Sequence, residues 1–117
     1  MMKQNVIVDK SKDFALRIIR LYQYLREEKR EFVLSKQILR SGTSIGANVK
    51  EAIRAQSKAD FYAKLNIALK EASETEYWLE LLHESDYIQD LAFASIYDDC
   101  QELIKILVSI TKKQRQE

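Results

Sequence analysis

Residues 57–85 read SKADFYAKLNIALKEASETEYWLELLHES. Within them Phe61, Leu65, Ala68, Ala72, Thr75, Leu79 and Leu82 recur at alternating intervals of four and three. That period holds small and apolar side chains on one face of an α-helix, the spacing with which helices pack into bundles. Ser57 and Asp60 take the ends of a capping box, with Asp in place of the usual Glu, so the helix is expected to open there. Ser85 and Asp86 mark its end.

The same rhythm extends to both sides. Downstream, Phe93, Ile96, Cys100, Leu103, Leu107 and Ile110 form a further stripe before a polar tail, Lys112 to Glu117. Upstream, Ser11 reads as an N-cap with Asp13 in the first turn, followed by Phe14, Ile18, Leu21 and Leu25. Arg26 to Glu31 reads as a turn, and a second helix opens near Val33 with Leu34, Ile38, Ile45, Val49 and Ala52 facing inward. The expected fold is all-α: one up-down antiparallel four-helix bundle domain over 1–117, with helices near 11–27, 33–56, 58–84 and 88–113. Composition agrees, because the 117 residues include no Pro and only Gly42 and Gly46 as glycines. A sheet protein needs turn residues about every 8–12 positions.

A single cysteine, Cys100, excludes an internal disulfide and a multi-cysteine zinc site, and it suits a reducing compartment. No stretch approaches the roughly 18 apolar residues of a membrane span, and Met1 to Lys10 lacks a signal-peptide core. The expectation is a soluble cytoplasmic protein with no membrane partner. Net charge is +1, but residues 1–58 hold 13 basic and 6 acidic side chains, whereas 59–104 hold 2 and 11. The chain is dipolar along its length.

Familiar chemistry finds little footing. Glu80 and His83 have the Glu-x-x-His spacing of carboxylate-bridged metal sites, which need that motif from two helices. His83 is the only histidine, so a second copy does not exist. A Ser-His-Asp arrangement would need a strained nucleophile turn, and none is visible. Helical ribonucleases that place an Arg shortly before a His on one helix are not matched, because nothing basic lies between Glu71 and His83. Cys100 sits at a core position and reads as a small buried hydrophobe. Glu71, Glu74, Glu76 and Glu80 read as an acidic helix side rather than paired catalytic carboxylates. The chain is therefore expected to be non-enzymatic, with no cofactor and no metal.

Two features depart from a plain bundle. On the third helix Ala63, Ile67, Trp78 and Leu81 cluster opposite the main stripe, so Ile67, Trp78 and Leu81 are candidates for contact with another copy. A helix at the centre of the bundle, or a loop folded over it, is the alternative. In the second helix Gly42 and Gly46 lie four apart, each costing about 1 kcal/mol relative to Ala. Such a pair marks either a close backbone approach or a helix break. Arg17, Arg20, Lys36, Arg40, Lys50 and Arg54 are candidates for RNA or DNA contact, with Tyr22, Tyr24 or Tyr62 available for stacking. A solvated face, or a face that meets the acidic third helix of a neighbour, is the competing reading.

Leu34, Ser35, Gln37, Ile38 and Arg40, followed by Ser44, Ile45, Asn48 and Glu51, resemble the second helix of the bacterial four helix bundle family, also called the 23S rRNA intervening-sequence protein family. Phe61, Leu65, Ile67, Ala68, Ala72, Ser73, Glu74 and Glu76 follow in that family's order. Its polar signature falls here on Gln37, Arg40, Ser44, Asn48 and Glu51. Lys50 to Ile53 and Lys70 to Ala72 depart from the usual pattern. The resemblance implies an up-down bundle that assembles into a ring, commonly a pentamer, with no enzymatic activity attached. It also implies members encoded within intervening sequences of ribosomal RNA genes. A related branch is the accessory protein of diversity-generating retroelements, for which nucleic acid and reverse transcriptase are the proposed partners. The sequence expectation is thus a cyclic homo-oligomer, pentamer favoured, with the charge dipole driving contact between unlike faces.

Overall fold

The computed structural model describes residues 3–116, with side chains from Val6 onward. It contains α1 (Lys3–Glu27), α2 (Leu34–Ile53), α3 (Lys58–Glu84) and α4 (Asp90–Thr111), closed by a 3-10 segment, Lys112–Gln116. There is no strand among the described residues. α1 packs on α2 and α4, and α3 packs on the same two, so consecutive helices are antiparallel neighbours and α1 and α3 are diagonal. Among the described residues no helix is long and apolar enough to cross a membrane.

The core is the set of stripes read from the sequence. Phe14, Ile18 and Leu25 of α1 meet Ile38, Ile45 and Val49 of α2, Leu65, Leu79 and Leu82 of α3, and Cys100, Leu103 and Leu107 of α4. Leu34, placed inward by the pattern, is only half-buried, and Ser35 takes the buried position instead.

α1 begins at Lys3, eight residues before the expected start near Ser11. The reason is that Ile7 continues the inward period and is buried. Ser11 is therefore not a cap. It is buried mid-helix, where its hydroxyl donates to the Val8 carbonyl at 3.2 Å.

Gly42 and Gly46 do not break α2, which is helical from end to end. A Cβ on Gly42 would fall 2.7 Å from Ile18 Cγ1, and one on Gly46 would fall 3.3 Å from the Ser11 carbonyl oxygen. The two missing side chains let α1 and α2 approach closely, and that tight packing offsets the poor helix propensity of glycine.

The helix ends explain the loops. Ser57 caps α3 by accepting the Asp60 backbone N–H at 3.0 Å, as the capping box predicts. α2 is capped by Glu31, whose Oε1 accepts from Ser35 N at 2.7 Å and whose Oε2 accepts from Leu34 N at 3.0 Å and Val33 N at 3.2 Å. A carboxylate at this position satisfies orphan donors and meets the positive end of the helix dipole. α3 ends with Asp86 at φ 69°, where the Tyr87 N–H returns to the Leu82 carbonyl at 2.9 Å. That is a glycine position occupied by an aspartate.

Candidate functional site

The polar signature of α2 forms one seam against α3. Arg40 donates to Glu71 at 3.1 Å and also binds Glu74. One turn apart along the same side, the Ser44 hydroxyl donates to the Arg40 carbonyl at 2.7 Å, and the Asn48 amide donates to the Ser44 carbonyl at 2.9 Å. Glu51 closes the seam by pairing with Lys64 of α3 at 3.3 Å. Gln37 continues the stripe but is exposed. Inside the seam the Ser41 and Thr75 hydroxyls are 2.8 Å apart and buried. Arg40 and Glu51, with Ser41 between them, hold α2 to α3, whereas Ser44 and Asn48 bond back to α2's own carbonyls.

Glu74 is the hub of that seam. Burial works to raise its pKa, but hydrogen bonds from Trp78 and Arg40 outweigh it and hold the carboxyl below the ordinary carboxylate value. The Arg40 guanidinium is raised in turn, chiefly by its hydrogen bond to Glu74.

The charge dipole of the sequence is folded back on itself. Arg17 of α1 donates to Asp99 of α4 at 2.6 Å, and Lys10 pairs with Glu102 at 3.2 Å. With the α2–α3 pairs, this joins the basic half of the chain to the acidic half within one subunit. The dipole therefore supplies less drive for contact between subunits than the linear sequence suggests. Such exposed pairs each contribute about 0–1 kcal/mol.

The six candidate cations consequently separate. Arg17 and Arg40 are engaged by their own subunit. Arg20, Lys36, Lys50 and Arg54 are exposed and make no ion pair among the described residues. Lys36, Arg40, Thr43, Ala47 and Lys50, at intervals of four and three, form the outer stripe of α2, and Arg54 follows at its C-cap. Lys50 and Arg54 line a groove with Lys12 and Ala15 of α1 and Thr43 and Gly46 of α2. Lys12 was not singled out in the sequence, because its proximity to Lys50 depends on the α1–α2 crossing.

The three candidate contact residues of α3 also differ from one another. Ile67 is 39% exposed, and Tyr77, missed because it lies to one side of the stripe, is 54% exposed. Leu81 is half-buried. Trp78 packs partly against the core, and its indole N–H donates to Glu74 at 3.0 Å, so the subunit already covers much of it. On α1, Leu16 and Ile19 are exposed out of phase with the buried stripe, the signal that distinguishes them in sequence.

The residues weighed for chemistry are spoken for. Glu80 accepts the Tyr97 hydroxyl at 2.5 Å, and that hydrogen bond holds the phenol well above its ordinary pKa. His83 turns away from Glu80, with Nε2 2.8 Å from Asp90 and its ring stacked on Phe93 at 4.0 Å. The Glu-x-x-His pair is thus split between two contacts with α4, and no cluster of three metal-ligating side chains occurs among the described residues. Burial pushes the Cys100 thiol up to about 12, with Glu76, Asp99 and Glu80 adding to it. It is held as an unreactive thiol.

The sequence profile of the 23S rRNA-intervening sequence protein family matches residues 3–109. The chain belongs to that family. It is similar to a crystal structure from Bacteroides thetaiotaomicron VPI-5482, described as a protein with unknown function from the S23 ribosomal protein family. Identity is 62% and the TM-score is 0.93, over 95% of this chain and 99% of that one. No curated protein matches the chain.

Proposed function

We propose that this 23S rRNA-intervening sequence family member is a non-enzymatic, self-assembling helical module whose working form is a homo-oligomeric ring, with a pentamer favoured. The observation that carries this reading is the outer side of α3. Ile67 and Tyr77 lie exposed along the longest helix, flanked by half-buried Trp78 and Leu81, with no loop laid over them. Exposed apolar side chains on a bundle that already has a complete core are surplus to folding, and a second copy of the chain would give Ile67 and Tyr77 a use, with Lys70 and Glu74 between them. Light scattering on the purified protein at micromolar concentration tests it: a mass several times that of the 13.7 kDa chain is expected. A monomer mass would refute it.

A second reading, contact with RNA or DNA, draws on Lys36, Lys50 and Arg54. These unpaired cations follow one another along the outer stripe of α2 and its C-cap, and the basic tail residues Lys112, Lys113 and Arg115 lie at the same end of the bundle as Arg54. Binding to labelled single-stranded RNA should weaken steeply as salt rises, because each phosphate contact releases counterions. Absence of binding at low salt, or a flat salt response, would end this reading.

A further inference from the structure

We propose that the groove between α1 and α4 binds a small amphipathic carboxylate, a molecule with one anionic head and an apolar body. Its volume is about 490 Å3, within the range of about 300–1,000 Å3 that small-molecule sites occupy. The site uses none of the α2 cations and stands apart from any contact between copies.

The packing of α1 explains why a groove opens here. Gly42 and Gly46 draw α1 closely onto α2. On its other side α1 faces α4 across Ala92, whose short side chain leaves the space between the helices unfilled. Leu21, Ile88 and Ile96 form the floor, and Ile88 and Ile96 are each only 5% exposed. Ile88 is turned inward by the α3–α4 turn, where its N–H returns to the Leu82 carbonyl at 3.3 Å.

Both ends of the groove are closed. Arg17 crosses from α1 to Asp99 of α4 at 2.6 Å and bars one end. The α3–α4 turn, with Ile88 and Gln89, stands at the other, beside Tyr24. Between Arg17 and Tyr24 the helix rises about 10 Å. A closed space of that length takes a small molecule, whereas a docked peptide would have to run on past its ends.

The charges select the head group. Every charged side chain that lines the groove is an arginine. Arg17 already has its counter-ion in Asp99, but Arg20 is exposed and makes no ion pair among the described residues. One guanidinium without a partner calls for one negative charge, and its planar fork matches the two oxygens of a carboxylate. Two further donors stand beside it. Gln89 is the N-cap residue of α4, yet its side chain caps nothing, and the Tyr24 hydroxyl makes no hydrogen bond among the described residues. An apolar floor beneath a few convergent polar groups is the general form of a small-molecule site.

The test is isothermal titration calorimetry of the full chain with sodium octanoate, below the concentration at which it forms micelles. One octanoate per chain is expected. Arg20→Gln removes one charge-assisted contact and should weaken binding about tenfold, and octanol, the same apolar body without the charge, should bind about tenfold more weakly or worse. Ala92→Phe fills the groove from an exposed position and should abolish binding while the circular dichroism melt shows the fold intact. Lys50→Gln, in the α1–α2 groove, should leave the affinity unchanged. The proposal is overturned by the absence of octanoate binding, by equal affinity for octanol, or by undiminished affinity in Arg20→Gln or in folded Ala92→Phe. A loss in Lys50→Gln as large as that in Arg20→Gln also overturns it, because the attraction would then be to basic surface at large.

Discussion

Gly42→Ala should destabilise this protein, whereas the same change four residues later should not. A Cβ at position 42 would lie 2.7 Å from Ile18 Cγ1 and 2.8 Å from Cγ2. Ordinary carbon contacts are about 3.5–4.0 Å, so the overlap is about 1 Å. Ile18 is fully buried and its branched Cβ is stiff, so it cannot turn aside, and α1 must lift from α2. Overpacking of this kind costs about 1–3 kcal/mol, and alanine regains about 1 kcal/mol of helix propensity. The buried, branched neighbour places the cost in the upper part of its range, leaving a net loss of about 1–2 kcal/mol. At this chain length that lowers the melting temperature by about 4–8 °C. At Gly46 the nearest atom, the Ser11 carbonyl oxygen, is 3.3 Å away, so a small adjustment suffices and the two effects nearly cancel. Urea unfolding followed by far-UV circular dichroism, at one fixed protein concentration, measures both. In an Ile18→Ala background Gly42→Ala should become stabilising by about 1 kcal/mol, because only propensity remains. If Gly42→Ala stabilises the unmodified protein, the close approach of α1 and α2 is wrong.

Three further outcomes follow from the helix ends and the α2–α3 seam. Glu31→Gln halves the acceptors that cap α2 and removes the charge at its N-terminus, so a loss of about 1–2 kcal/mol is expected by urea unfolding; an unchanged midpoint would contradict the cap. Asp86→Gly relieves a left-handed residue at φ 69° and should stabilise the protein by about 0.5–1 kcal/mol in urea unfolding; a loss of stability would contradict the strained turn. Glu74 has a folded pKa below its ordinary 4.5, so its contribution is present above that value and is lost as pH falls below it. The emission of Trp78, the chain's one tryptophan, should accordingly hold steady down to about pH 5 and change only in more acid solution. Glu74→Gln should remove that acid step, and its persistence would assign the step elsewhere.

Periodicity alone was enough for the helices, because burying one face of each is the dominant driving force and leaves a four-and-three rhythm in the chain. Phe61 to Leu82 and Phe93 to Ile110 carry it without interruption. At α1 the same rhythm ran on through Ile7, but Ser11 resembled a cap closely enough to mask it. Local capping chemistry and a buried serine on a tightly packed helix use the same residue, and only the neighbouring glycine distinguishes them. Family membership was legible as well, since Gln37, Arg40, Ser44, Asn48 and Glu51 resemble the family's motif in residue type and order.

What belonged to the tertiary structure was the fate of each charge and each outward side chain. Arg17 and Arg20 are alike in sequence, yet one is bound to Asp99 and the other is free. That difference depends on which helix stands beside α1, and so on long-range packing that no local pattern encodes. Glu31 looked like one charge in a turn and proved to be the cap of α2 once the chain reversed around it. Trp78 and Tyr77 are adjacent in the chain, but one turns toward the α2–α3 seam and the other toward solvent. Helix formation depends on neighbours three and four residues away, which a sequence displays. Surface identity depends on partners tens of residues distant, which appear only when the bundle closes.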